Sequence, residues 1–253
     1  MLKLRLIARL DVKGPDLIKG VQLEGVRKLG DPRVFAERYH EAGIDEIIFM
    51  DAVASLYDRA ILYEIVERTA ENVFVPITIG GGVHSVEDVR CLLRAGADKI
   101  AVNGAATRRP SLIGEIAGKF GSQCVVLQID AKRRAGGGWE ALCDGGRERT
   151  GRDVLEWAVE AENRGAGEIL LTSVDREGTG LGFDVELVRA VSDAVDIPVI
   201  ASGGMGGVDH LIDVVSKGGA SAVAMARVLH TGALSLPAIR DVASLAGLPI
   251  RWN

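Results

Sequence analysis

The sequence predicts a single α/β domain over residues 1–253, a closed (β/α)8 (TIM) barrel made of two duplicated half-barrels at about 1–122 and 123–253. Three observations carry this expectation. Short aliphatic runs alternate with helix-like segments from end to end. Glycine, proline and capping residues punctuate the junctions. The two halves of the chain repeat one another at a nearly constant offset.

The strand-like runs are LRLIARL (4–10), EIIFMD (46–51), VPITIG (75–80), KIAVN (99–103), CVVLQID (124–130), EILLTS (168–173), IPVIAS (197–202) and SAVAMA (221–226). Most are apolar nearly throughout, as strands covered on both faces must be. Between them, DPRVFAERYHEAG offers Asp31 as a cap, Pro32 at the first helical position and Gly43 just past the end. RPSLIGEIAGKFG repeats the scheme with Pro110 and Gly121, and SVEDVRCLLRAG opens on a capping-box spacing, Ser85 to Asp88, and stops at Gly96. Eight strand–helix pairs in this length suit a closed barrel, with an open doubly wound sheet as the alternative arrangement of the same elements.

The halves match in register. Glu168 follows Glu46 by 122 residues, Pro198 follows Pro76 by 122, Ala220 follows Ala97 by 123 and Asp130 follows Asp11 by 119. Offsets this constant over four strand pairs mark an internal duplication. Asp11-Val12-Lys13 and Asp130-Ala131-Lys132 are therefore equivalent strand ends, facing each other across one barrel mouth.

Composition narrows the function. Apolar residues make up 47% of the chain and aromatics only 4%, so aliphatic side chains must fill the core. The net charge of −5, with both signs interspersed, gives no electrostatic case for nucleic acid or an anionic membrane. Cys91, Cys124 and Cys143 lack metal-ligand spacing and are expected to be buried thiols in a reducing compartment. No signal-peptide pattern and no apolar run of roughly 18 residues is present, so a cytoplasmic location is expected. Neither a metal nor a cofactor is called for.

Barrel active sites form at the C-terminal ends of the strands. Asp11 and Asp130 close strands one and five, and alternation points Arg9 and Gln128 the same way. Two carboxylates across a pocket suit general acid–base work; Asp51, ending strand two, is expected to be structural or accessory. Two glycine turns, GGGVHS (80–85) after strand three and SGGMGG (202–207) after strand seven, expose backbone N–H groups at helix starts, which is how such turns cradle phosphate. The neighbouring NGAA (103–106), ARVL (226–229) and SVDREGTG (173–180) join them. Two such turns at repeat-related positions predict an elongated small-molecule substrate with a phosphate at each end. At the opposite end of the barrel, Arg5, Glu46, Lys99 and Glu168 form a ring of two cations and two anions, which by itself asks for no more than mutual pairing.

At LDVK…IKG, ITIGGGVHS, AGADKIAVN, FGSQCVVLQIDAKR and GAGEILLTSVDREGTGLGFD the chain resembles the cyclase subunit of imidazole glycerol phosphate synthase, from about residue 3 to residue 230. That resemblance implies a barrel enzyme that takes ammonia from a partner glutaminase, with which it forms a heterodimer. It implies conversion of a phosphoribulosyl-formimino aminoimidazole carboxamide ribonucleotide to imidazole glycerol phosphate and aminoimidazole carboxamide ribonucleotide, a step of histidine biosynthesis. By the same resemblance Asp11 and Asp130 are the acid–base pair and Lys19 belongs to the loop after strand one. Gly82 and Asn103 hold one phosphate; Gly178, Gly203 and Ala226 hold the other, where Arg227 of this chain is a further candidate. Arg5, Glu46, Lys99 and Glu168 form the ammonia gate, and Asp98 lies at the glutaminase interface.

The chain departs from the family's pattern at several positions. Arg9 replaces a usual Cys, Gln128 a usual Ala or Ser, Val53 a usual Thr, and Gly104 and Arg227 stand where hydroxyl residues usually are. A buried Arg9 is expected to lower the pKa of both aspartates. These changes would also fit a paralogue that uses glutaminase-derived ammonia to amidate a sugar nucleotide in surface-polysaccharide biosynthesis. The isomerase of the same pathway needs no ammonia, so the gate quartet counts against it. A scaffold that merely activates a glutaminase would leave Asp11 and Asp130 dispensable.

Overall fold

The computed structural model describes residues 3–52 and 60–251. β1 (Arg5–Lys13) continues into an antiparallel hairpin, β2 (Asp16–Val21) and β3 (Glu24–Gly30), before α1 (Pro32–Glu41). Then come β4 (Glu46–Asp51) with α2 (Ala60–Ala70), β5 (Ile77–Gly80) with α3 (Val86–Arg94), and β6 (Lys99–Val102) with the short α4 (Gly104–Arg108) and α5 (Ser111–Phe120). The second half repeats the plan. β7 (Val125–Arg133) runs into a hairpin, β8 (Trp139–Cys143) and β9 (Glu148–Asp153), before α6 (Val154–Asn163). β10 (Glu168–Ser173) with α7 (Val185–Ala194), β11 (Val199–Ser202) with α8 (Val208–Ser216), and β12 (Ala222–Met225) with α9 (Arg227–His230) and α10 (Leu236–Leu245) complete it.

Eight of these strands are parallel and form a ring in the order β1-β4-β5-β6-β7-β10-β11-β12, which closes where Arg5 of β1 pairs with Ala222 of β12. The barrel, not the open sheet, is the arrangement adopted. The duplication shows in the ladder. Asp11 lies opposite Met50 and Asp130 opposite Thr172, partners that are themselves 122 residues apart. Both central hairpins, absent from the expected pattern, grow from equivalent strands. They explain why β1 and β7 run three residues beyond the expected runs, to Lys13 and Arg133.

Local signals behave as their chemistry requires. Asp31 caps α1 through the Arg33 N–H with Pro32 as the first helical residue, and Ser85 and Asp88 form the full capping box. Pro110 sits one residue earlier than expected, as the cap itself, because α5 starts at Ser111. The thiols need correction too. Only Cys143 is buried; Cys124 is half-buried and Cys91 exposed, on the side of α3 away from its buried residues Val89 and Leu92. Among the described residues no helix is long and apolar enough to cross a membrane.

The core has two parts. The larger fills the layer between strands and helices, with Phe49 and Trp157 among its largest buried side chains. The smaller lies inside the barrel, where Ile7, Ile48, Val126, Leu170 and Ile200 make an apolar plug. At the floor, Asp45 accepts from the Leu6 N–H at 2.7 Å and from Arg240 of α10 at 3.0 Å, tying β1, the start of β4 and the last helix together. Both side chains are nearly inaccessible, so removing one partner strands the other's charge. Arg240→Ala is expected to cost about 3–5 kcal/mol in urea denaturation.

Candidate active site

Alternation along β1 turns Arg5, Ile7, Arg9 and Asp11 toward the barrel axis; along β7 it turns Val126, Gln128 and Asp130 there. Asp11 and Asp130 open onto one cavity, as the strand-end pattern required, and Arg9 and Gln128 line it beside them. Gly82, Asn103, Gly104 and Arg108 form one rim of that cavity. A smaller recess lies on the other side, walled by Gly178, Gly203, Ala226 and Arg227. Arg9 and Lys19 border both spaces, so the two glycine turns sit at opposite ends of one elongated trough. Asp51 also lines the cavity; Val53 lies outside the described residues.

The aspartates have different company. Asp11 is 8% exposed and accepts from Arg9 Nε at 2.9 Å, with Lys19 Nζ 3.6 Å away. Asp130 is 1% exposed and its donors are neutral amides: Gln128 Nε2 at 3.2 and 3.3 Å and Asn103 Nδ2 at 3.0 Å. Burial favours the neutral form of both, but at Asp11 the Arg9 and Lys19 charges overcome it and hold the carboxyl below its usual range. At Asp130 burial prevails over the more weakly felt Arg9 charge, and the carboxyl is raised. Arg9 acts to lower both, as expected, but at Asp130 burial outweighs it, so the expected ionisation of both carboxyls is corrected for Asp130 alone. Arg9 spends its directed bonds elsewhere: besides Asp11, its Nη1 donates to Thr172 Oγ1 at 2.8 Å and Ser202 Oγ at 3.1 Å.

Several residues at this mouth were not anticipated. Buried Glu177 pairs with Lys19, and its segment was noticed only for its glycine and threonine. Thr172 and Ser202 could have been found by counting inward positions along β10 and β11. His230 of α9 stacks on Tyr39 and shares a 2.6 Å hydrogen bond with its hydroxyl. Burial pushes this imidazole down to about 4, so at neutral pH it brings no charge to Asp11. Asn103, expected at a phosphate, lies at that rim but spends its amide on Asp130 and on the Leu142 carbonyl. Arg227 reaches the carbonyls of Gly178 and Thr179 at 3.3 and 3.2 Å beside the second recess.

At the floor the four predicted charges close into a ring. Arg5 donates to Glu46 at 2.8 Å and Glu168 at 2.5 Å; Lys99 donates to the other oxygen of each, at 3.0 and 2.9 Å. Asp98 is exposed at the same end, its carboxylate accepting the Ile77 N–H at 2.8 Å. Among the described residues one trio, Cys143, Asp144 and Glu148, is close enough to share a cation, but burial pushes the Cys143 thiol up to about 11 and it already donates to Glu148.

The β2–β3 hairpin folds over the mouth and brings Lys19 in. Gln22 N–H donates to the Glu177 carbonyl at 2.8 Å. Gly178 has φ +71°, and a Cβ there would sit 2.6 Å from the Gly20 carbonyl oxygen. Gly178→Ala should push the hairpin off, read as loss of amide-exchange protection at Gln22; unchanged protection would show that this contact does not seat it.

The family described as histidine biosynthesis protein matches residues 5–235. A protein of Legionella pneumophila named imidazole glycerol phosphate synthase subunit HisF is 63% identical over 206 residues, 81% of this chain and 97% of that protein. With a closed eight-stranded parallel barrel, a repeated strand-end aspartate and these two matches, the chain belongs to the histidine biosynthesis protein family.

Proposed function

We infer that this chain is the cyclase-type subunit of imidazole glycerol phosphate synthase, a lyase that uses ammonia from a partner glutaminase on the formimino ribonucleotide. The observation that carries the reading is the trough: two strand-end aspartates lie between two glycine-lined recesses. A substrate phosphorylated at both ends would lay its reacting centre against them. In this reading Gly82, Asn103 and Arg108 face one phosphate, and Gly178, Gly203, Ala226 and Arg227 the other. Asp11, whose carboxyl the Arg9 charge holds below its usual range, takes a proton; Asp130, whose carboxyl burial raises, gives one. The similarity to a protein named as a subunit of that synthase supports the same reading.

The floor supports the ammonia route. Neutral ammonia crosses an apolar layer far more cheaply than ammonium, and Ile7, Ile48, Val126, Leu170 and Ile200 supply that layer above the charged ring. The glutaminase would dock at this end, where Asp98 is exposed and Phe74, just before β5, is 79% exposed.

The test is turnover of the formimino ribonucleotide with ammonium salt, followed by loss of substrate absorbance. Asp11→Asn or Asp130→Asn should lower it by about 10²–10⁴-fold. No turnover by the wild type, with glutaminase activation intact, would move the reading to the sugar-amidating paralogue. With the glutaminase bound, Lys99→Ala should reduce glutamine-driven turnover more than ammonium-driven turnover; equal losses would remove the gate assignment.

A further inference from the structure

Arg9 is buried at 3% exposure in the middle of the trough and borders both recesses. Its bonds run to three staves of the barrel: Asp11 on its own strand, Thr172 on β10 and Ser202 on β11. Thr172 and Ser202 are themselves buried, so the guanidinium is anchored and cannot swing toward Asp130 without breaking bonds in a water-poor interior. No hydrogen bond joins Arg9 to Asp130 among the described residues. The contrast in partners is chemical. A guanidinium donating to a carboxyl at 2.9 Å favours the ionised form strongly, whereas the neutral amide N–H groups of Gln128 and Asn103 favour it more weakly.

We propose that Arg9 is a positioning residue that divides the work of the two aspartates, fixing Asp11 as the proton acceptor and, by withholding a direct bond, leaving Asp130 as the donor. This rests on the reading of the two carboxylates as the acid–base pair. In one turnover a proton passes from substrate to Asp11 and another from Asp130 to substrate, and exchange with solvent restores both. Other groups also bear on the pair: burial acts against ionisation of both carboxyls, and the Gln128 amide favours ionisation of Asp130. Lys19 approaches Asp11 from β2 but is shared with Glu177, and Glu177 acts against ionisation of Asp130. His230 is neutral, and each aspartate's charge disfavours ionisation of the other. The opposed directions found for the two carboxyls agree with this division.

The experiment is a carboxyl carbon-13 NMR titration of the full chain without substrate, with aspartates labelled and the two signals assigned by Asp11→Asn and Asp130→Asn. In the wild type Asp11 should titrate below the ordinary aspartate range and Asp130 above it. In Arg9→Met the Asp11 midpoint should rise by about 1–3 units, and by more than that of Asp130. Arg9→Lys should give a smaller rise, keeping charge without the fork of bonds. In turnover, the acidic limb of kcat/KM should move upward with Asp11. Two aspartates titrating together in the wild type would overturn the proposal, as would an unmoved Asp11 in folded Arg9→Met. A uniform fall in activity with an unmoved pH profile would mark Arg9 as structural only and overturn it as well. Should Arg9→Met fail to fold, the wild-type and Arg9→Lys titrations decide. Since the titration needs no substrate, its failure sinks this inference, whereas a normal titration without ribonucleotide turnover sinks the reaction assignment.

Discussion

A positive charge inside a barrel has to be neutralised where it stands, and Arg9 meets that constraint with one carboxylate and two hydroxyls. The inward faces of β1, β10 and β11 are arranged around it. It separates the two recesses while bordering both, and it leaves Asp130 to neutral amides. A guanidinium lying symmetrically between the aspartates would favour ionisation of both alike and erase the difference in their surroundings.

Charge is layered along the barrel axis. At the floor, two cations and two anions cancel in a closed ring, each glutamate using one oxygen per cation. Above it lies an aliphatic layer with no formal charge. At the mouth, charge returns as Arg9, Asp11, Lys19, Glu177 and Asp130. The same alternation along β1 supplies all three levels, with Arg5, Ile7 and then Arg9 and Asp11. One strand's period of two thus writes the axial profile of the molecule.

Much of this was legible because it depends on short-range periodicity. Strand identity, the duplication and the inward direction of Asp11, Asp130, Arg5, Glu46, Lys99 and Glu168 all follow from alternation and offset. The exposure of Cys91 was legible too: two positions after Val89 on α3 lies the far side of the helix. The β2–β3 hairpin was hidden, since its turn is made by Gln22 and Leu23 at φ 51° and 65°, where glycine or asparagine would have signalled it, whereas Asp144-Gly145-Gly146 did signal the β8–β9 turn. Glu177 and His230 were hidden because their loop and short helix take their direction from tertiary contacts. The split between the two aspartates was hidden because sequence states that a cation is present but not which oxygen it faces.

The hairpin over the mouth is fastened by Gln22, whose backbone N–H and side-chain amide donate to the Glu177 and Asp175 carbonyls, and by Lys19, which bonds Glu177 and stands beside Asp11. Lys19 rides on β2, so lifting the flap to admit a molecule also withdraws a cation from Asp11 and frees an anion in the wall. Access and electrostatic readiness are thereby mechanically linked, and the unlatched protein is electrically a different one from the latched.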